Sequence, residues 1–207
     1  MIGIVSYGVG NLRSLSNALE WLGESCRLVE RGEEFDAVTG LILPGVGAFG
    51  PAMEQLKNSG LDRDVQAWVA RGRPLLGICL GVQLLARRSE ERGKHEGLAI
   101  VPADVALIPK RPGIRIPHMG WNTVTRVRDS VLWGDLRSIV CYHVHSYALA
   151  FDEQAASEWV IGTVEHGQRI PTMIHCGNVM GTQFHPEKSQ RDGLAVLANF
   201  LQFVRQC

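Results

Sequence analysis

The sequence has no excess of either charge. Its 21 lysines and arginines are balanced by 21 aspartates and glutamates, so no overall field favours nucleic acid or an anionic membrane as partner. A long uninterrupted apolar run is also missing, and the opening MIGIVSYG enters a short strand with no basic segment before it. Export and membrane insertion are therefore not expected, and a cytoplasmic protein is. Cysteine is sparse and odd in number: Cys26, Cys79, Cys141, Cys176 and Cys207 fall at spacings that suit no small disulfide scaffold, which points to a reducing compartment. A small molecule or another protein remains as partner. With 207 residues the chain can bury a full core, and a single domain over 1–207 is expected.

What is present is a run of short apolar strands, each followed by a glycine turn and a helical pattern. Ile2 to Ser6 reads as a strand, Tyr7 to Asn11 as a turn, and Leu12, Leu15, Leu19 and Leu22 as one face of a helix stopped at Gly23. Strands follow over Cys26 to Glu30 and Ala37 to Leu43, and the alternation implies a parallel sheet. Gly8-Val9-Gly10 lacks the third glycine and the acidic residue of a dinucleotide site, so a nucleotide is disfavoured.

Pro74 to Gln83, PLLGICLGVQ, organises the rest. The strand Leu75–Ile78 meets Cys79 inside a G-x-C-x-G frame, and an apolar helix pattern follows from Val82. Flanking glycines allow a sharp turn that exposes the central side chain, as in the G-x-S-x-G elbow. A thiol there can act as a nucleophile, with the Leu80 amide as one donor of an oxyanion hole. Ligands collect at the carboxyl ends of parallel strands. The loop Pro44-Gly45-Val46-Gly47 therefore faces the same crevice, and its amides can complete that hole.

Further along, Asp62 is expected to cap a helix through Val65, Trp68 and Val69 to Gly72. The charged segment Arg87 to Lys94 is expected to face solvent. Prolines and glycines between Gly97 and Val127 exclude long helices, and Trp121 there suits either a core or a partner-contact role. Cys141, His143 and His145 alternate on a strand and share one face. They lack a second ligand pair for zinc, which favours a packed or substrate-lining strand. Trp159 to Val164 and Pro171 to Phe184 read as hairpins at a sheet edge. His185-Pro186-Glu187 then offers a base with an orienting carboxylate, with His145 and His175 as competing bases. Ser189-x-x-Asp192 resembles a capping box opening a last helix through Leu194, Leu197, Leu201 and Val204.

Taken in order, PGVGAFG, GICLGVQ and GTQFHPEKS resemble the class I (triad) glutamine amidotransferases over the whole chain. Within that family, YGVGNLRSL, PHMGWN and VHSY are similar to the glutaminase subunits of imidazole glycerol phosphate synthase in histidine biosynthesis. The resemblance implies a flavodoxin-like, mostly parallel central sheet flanked by helices. It also implies a Cys79-His185-Glu187 triad, and so selects among the three candidate bases. L-glutamine would be hydrolysed to glutamate and ammonia through a Cys79 thioester, with no metal or organic cofactor. Gly47, Gln83, His145, Ser146 and Tyr147 would hold the substrate's α-groups. A cyclase subunit, joined as a heterodimer, would use the ammonia to form imidazole glycerol phosphate and AICAR. Asn11, Met119, Trp121 and Lys188 at the rim of the site would meet it.

Two positions depart from the family pattern: Ser6 stands where an acidic residue is common, and His143 where an aromatic, usually Phe, is common. Competing readings are the glutaminase subunit of anthranilate or aminodeoxychorismate synthase and a non-catalytic regulatory module on the same fold. The intact Cys79, His185 and Glu187 argue against the latter.

Overall fold

The structure is a computed structural model describing residues 1–207. Its strands are β1 (Ile2–Val5), β2 (Cys26–Val29), β3 (Gly40–Leu43), β4 (Leu75–Ile78), β5 (Arg88–Ser89), β6 (His95–Glu96) and β7 (Asp104–Leu107). They continue as β8 (His118–Arg126), β9 (Ser138–His145), β10 (Tyr147–Ala150), β11 (Val160–Glu165), β12 (Arg169–Cys176) and β13 (Val179–Thr182). The α-helices are α1 (Leu12–Trp21), α2 (Phe49–Asn58), α3 (Leu61–Ala70), α4 (Leu80–Leu84), α5 (Glu153–Trp159) and α6 (Gln190–Val204). No helix is long and apolar enough to cross a membrane.

A nine-stranded sheet runs β2-β1-β3-β4-β13-β12-β11-β8-β9. The block β2-β1-β3-β4-β13 is parallel and carries the flavodoxin-like order 2-1-3-4-5. The remaining four strands extend it antiparallel. A smaller sheet, β10-β7-β5-β6, stands beside it, and the chain passes from one sheet to the other at Ser146.

Four of the parallel strands, β1, β3, β4 and β13, are short and buried at every position because both faces are covered, while the edge strand β2 is partly exposed. Their period of two divides the core. Val5, Leu41, Leu43 and Leu75 pack under α2 and α3 against Met53, Leu56, Val65 and Trp68. Ile4, Ile42, Leu76 and Ile78 pack on the other side against Leu15 and Leu19 of α1 and Leu197 and Phe200 of α6. Truncating any of these buried leucines to alanine would cost about 2–5 kcal/mol, so the sheet holds its carboxyl-end loops on a rigid base.

Four local expectations need correction. The third strand starts at Gly40, because Gly32–Ala37 winds into a 3-10 helix that buries Phe35 beside Trp68. The N-cap of α3 is Gly60 at φ 75°, not Asp62, which sits inside the first turn where its charge favours the helix dipole. The β12-β13 hairpin lies in the middle of the sheet rather than at its edge, since β13 is claimed by the buried strand β4. The charged segment 87–94 is only partly solvated: Ser89 is buried, and Glu91 Oε2 accepts the Phe49 amide at 2.8 Å, tying the segment to the start of α2.

Candidate active site

β4 ends at Ile78 and α4 begins at Leu80, leaving Cys79 alone at the corner with φ 54° and ψ −112°. A non-glycine residue in that region is strained, and such strain gathers at functional sites. The neighbouring glycines make the corner possible. A β-carbon on Gly81 would stand 1.8 Å from the Leu43 carbonyl oxygen, and one on Gly77 would stand 2.7 Å from Cα of Val82. The Cys79 amide donates to Thr182 O at 2.7 Å, which locks the corner to the next strand. Leu80 is the first residue of α4, so its amide has no acceptor within the helix.

The loop after β3 closes over this corner. Buried Tyr7 donates its hydroxyl to Pro44 O at 2.8 Å, a support that nothing in its local sequence announces. Burial first, and the nearby Cys79 second, push the Tyr7 phenol well above its ordinary value and keep it a donor. Gly45 fits because a β-carbon there would approach the Gly81 amide to 3.0 Å. Beyond it Val46 and Gly47 are exposed, Gly47 adopts φ 97°, and neither amide donates to a backbone carbonyl.

Val46, Gly47, Cys79, Leu80, Gln83, His145, Ser146, Tyr147 and His185 line one open cleft of about 520 Å³. Glu91, Arg92, Leu107, Pro117 and Val144 line it too; Pro117 and Val144 open the PHMGWN and VHSY stretches, whereas sequence reading gave Glu91, Arg92 and Leu107 no place in the site. The β5-β6 hairpin brings Glu91 and Arg92 there, and only the pairing of those two-residue strands reveals it.

His185 follows β13 and lies 2.9 Å through Nδ1 from Glu187 Oε1, with both side chains 3% exposed. Burial opposes a charged imidazole here. Bonding to the Cys79 sulfur and the Glu187 carboxylate, together with their charges, outweighs it and raises His185 to about 10. The second carboxylate oxygen, Oε2, is buried without a partner. Ser189 holds this turn: its hydroxyl donates to His185 O at 2.6 Å and accepts the Tyr142 amide at 3.0 Å. Asp192 accepts the Val140 amide at 2.7 Å. Ser189 and Asp192 therefore form no capping box; β9 takes both side chains, and Ser189 caps nothing with its own.

The competing bases are otherwise engaged. His145 has Nδ1 2.9 Å from Tyr147 O and Nε2 3.1 Å from Nδ1 of His118. His175 lies between Ser130 Oγ at 2.8 Å and Gly177 O at 3.0 Å, outside the cleft. Cys141, His143 and His145 are all buried on one face, and no three acidic, histidine or cysteine side chains converge as metal ligands. Gln83 spends both amide hydrogens, on Tyr147 O and Gln183 Oε1 at 2.9 Å each, and so offers Oε1 as an acceptor.

The four residues expected at the rim are not equivalent. Asn11 caps α1 by accepting the Ser14 amide at 3.4 Å. Met119 is 63% exposed and Trp121 49% exposed, so Trp121 is not core; it meets Tyr142 edge-on at 6.1 Å. Lys188 is exposed directly after Glu187.

The family model described as "Glutamine amidotransferase class-I" matches residues 4–203. The chain is 46% identical over 205 residues to "Imidazole glycerol phosphate synthase subunit HisH" of Moorella thermoacetica, covering 99% of this chain and 95% of that protein. It is 42% identical to the protein of the same name from Halalkalibacterium halodurans, covering 100% and 97%. Among solved structures, a "glutamine amidotransferase" aligns with TM-score 0.77 at 21% identity over 99% and 98% of the two chains. A chain of "PurLQS from Thermotoga maritima" aligns with TM-score 0.72 at 20% identity over 98% and 97%. These structural likenesses concern the fold.

Proposed function

This chain belongs to the class I glutamine amidotransferases, and from that premise we propose that its cleft hydrolyses L-glutamine as the glutaminase subunit of an imidazole glycerol phosphate synthase. The observation that carries the reading is the line Cys79, His185, Glu187. A strained thiol at the elbow shares the cleft with a buried imidazole, which lies 2.9 Å from a buried carboxylate.

In this reading His185 holds the thiol proton and leaves Cys79 a thiolate, and the sulfur attacks the side-chain amide carbon of glutamine. The carbonyl oxygen becomes an oxyanion, met by the Leu80 amide and by the unclaimed amides of Val46 and Gly47. Collapse expels ammonia, which takes its proton from His185, and leaves a γ-glutamyl thioester. Neutral His185 then accepts a proton from water as the water attacks the thioester; glutamate departs, and the thiolate returns. Glu187 holds Nδ1–H throughout, which keeps Nε2 as the working nitrogen. No step requires a metal or organic cofactor.

Gln83 Oε1 would accept from the substrate's α-ammonium group, and Gly47 with the His145–Tyr147 wall, which line the same cleft, would flank the rest of the amino-acid head. The ammonia would pass to a cyclase subunit docked over the rim residues Asn11, Met119, Trp121 and Lys188. The five free thiols fit a reducing cytoplasm. Full-length likeness to subunits of one synthase favours this assignment over the anthranilate and aminodeoxychorismate enzymes. It is tested by glutamate release from Cys79→Ala. A folded variant that still released glutamate at the unmodified rate would refute the nucleophile.

A further inference from the structure

Outside the Cys79–His185–Glu187 line, the longest run of buried polar side chains lies on the β8-β9 hairpin. Its register sets His118 opposite His145 and Gly120 opposite His143. His118 and His145 are 3% and 7% exposed, so each ring nitrogen must find a partner inside the protein.

The hydrogen bonds leave each nitrogen one role. Tyr147 O can only accept, so His145 Nδ1, 2.9 Å away, carries a hydrogen. A neutral imidazole has one donor, so His145 Nε2 is an acceptor and takes the hydrogen of His118 Nδ1 at 3.1 Å. His118 Nε2 is then an acceptor in turn, facing Asn122 Nδ2 at 3.2 Å. The amide of Asn122 is oriented independently: Nδ2 also donates to Glu165 O at 3.0 Å, and Oδ1 accepts the Thr123 amide at 2.8 Å. The line therefore points one way, from Asn122 through His118 and His145 to the carbonyl of Tyr147. Gln83 bonds that same carbonyl from the cleft side at 2.9 Å. Burial and neighbouring imidazoles hold His118 down to about 3; burial and the neighbouring His166 and His185 hold His145 to about 4. Neutral rings are what the line needs.

We propose that His118, which does not line the cleft, is a positioning residue for the glutamine site: through His145 it fixes the Tyr147 carbonyl, and with it Gln83 and the Ser146–Tyr147 wall. The proposal rests on the glutaminase reading of the cleft. It differs from a packing role in what it moves. A filler could be replaced by any side chain of similar volume, whereas this residue must donate at the Nδ1 position. Because the line touches the binding wall and not Cys79, its loss falls on substrate binding rather than on the chemical step.

The test compares His118→Leu, which keeps bulk and removes the donor, with His118→Asn, whose amide nitrogen occupies the Nδ1 position. Glutamate release by the full chain in complex with a cyclase subunit is followed against glutamine concentration. His118→Leu should raise KM about tenfold, the worth of one buried hydrogen bond, with little change in kcat. His118→Asn should recover most of that loss. Equal KM in the unmodified protein and His118→Leu, or failure of His118→Asn to improve on it, would overturn the proposal. Nitrogen-15 NMR of the unmodified protein's histidines supplies a second readout that needs no variant to fold: both His118 and His145 should be Nδ1–H tautomers, and an Nε2–H tautomer at either would refute the line. If the unmodified protein releases no glutamate even in complex with a cyclase subunit, the glutaminase reading fails, while the tautomers still decide the hydrogen-bond line by itself.

Discussion

The Glu187 carboxylate lies 2.9 Å from Nδ1 of His185, and neither side chain is more than 3% exposed. The carboxylate orients a ring that lines the same cleft as Cys79. Replacing His185 by Ala removes the proton acceptor and should lower glutamate release about 10²–10⁴-fold. Glu187→Gln should lower it less, since the ring survives. The stability linked to His185 follows from its raised value: it is fully present below the ordinary value of 6.5 and is lost as pH rises through about 10. The stability deficit of Glu187→Gln should therefore shrink between those limits. Chemical denaturation across that range checks this, and a deficit that does not change with pH would contradict it.

The histidines of the β8-β9 hairpin act in the opposite direction. Chiefly through burial, His118 and His143 are depressed to about 3 and His145 to about 4. An unfolded chain binds these protons near pH 6.5 and the folded one does not, so stability is present above 6.5 and falls on acidification toward 3. Each group contributes a slope of about 1.4 kcal/mol per pH unit while it titrates only in the unfolded state. His143 Nε2 is buried with no partner, although the ring stacks on His118 at 4.6 Å and meets Phe184 at 5.6 Å. His143→Phe keeps the stacking and removes the orphan nitrogen, with loss of the Nδ1 hydrogen bond to Cys141 O at 3.0 Å. It should stabilise the protein by about 1 kcal/mol at neutral pH and make the acid limb shallower. Denaturant titrations at pH 5 and 7 measure both effects.

Met119 and Trp121 alternate with His118 and Gly120 along β8 and face outward, 63% and 49% exposed. A large, semi-rigid side chain such as Trp121 suits a hot spot of a protein interface. Trp121→Ala or Lys188→Ala should weaken association with the cyclase subunit about tenfold or more and reduce glutamine-dependent product formation. Ammonium-dependent formation by the complex should persist. Equal loss in both assays, or no loss in either, would remove these residues from the coupling of the two sites.

Much of this site is legible in the sequence because its geometry is local. Gly77 and Gly81 flank Cys79 since a side chain at either would collide with the next turn or with the Leu43 carbonyl, and such a requirement writes itself into adjacent positions. The strand-helix alternation before it is equally local. What escaped was set by pairing across long stretches of chain. Nothing near Glu91 or Arg92 says that a hairpin of two-residue strands turns them into the cleft. Ser189 and Asp192 have the spacing of a capping box, yet the β9 backbone competes for both side chains and wins. Tyr7 reads as a turn residue until Pro44, 37 positions later, is laid over it. His118 and His145 looked like separate members of two motifs, and only the β8-β9 register makes them one line.

The nucleophile is tested most directly by treating the protein with a glutamine analogue that carries an electrophilic side chain, then mapping the modified peptide. Cys176 and Cys207 are exposed, while Cys79 is only 7% exposed, so an indiscriminate reagent would reach the surface thiols first. One equivalent of label is expected on Cys79, blocked by excess glutamine and slowed in His185→Ala, with Cys26, Cys141, Cys176 and Cys207 spared. First labelling at any of those four, or labelling of Cys79 that glutamine does not compete with, would contradict it.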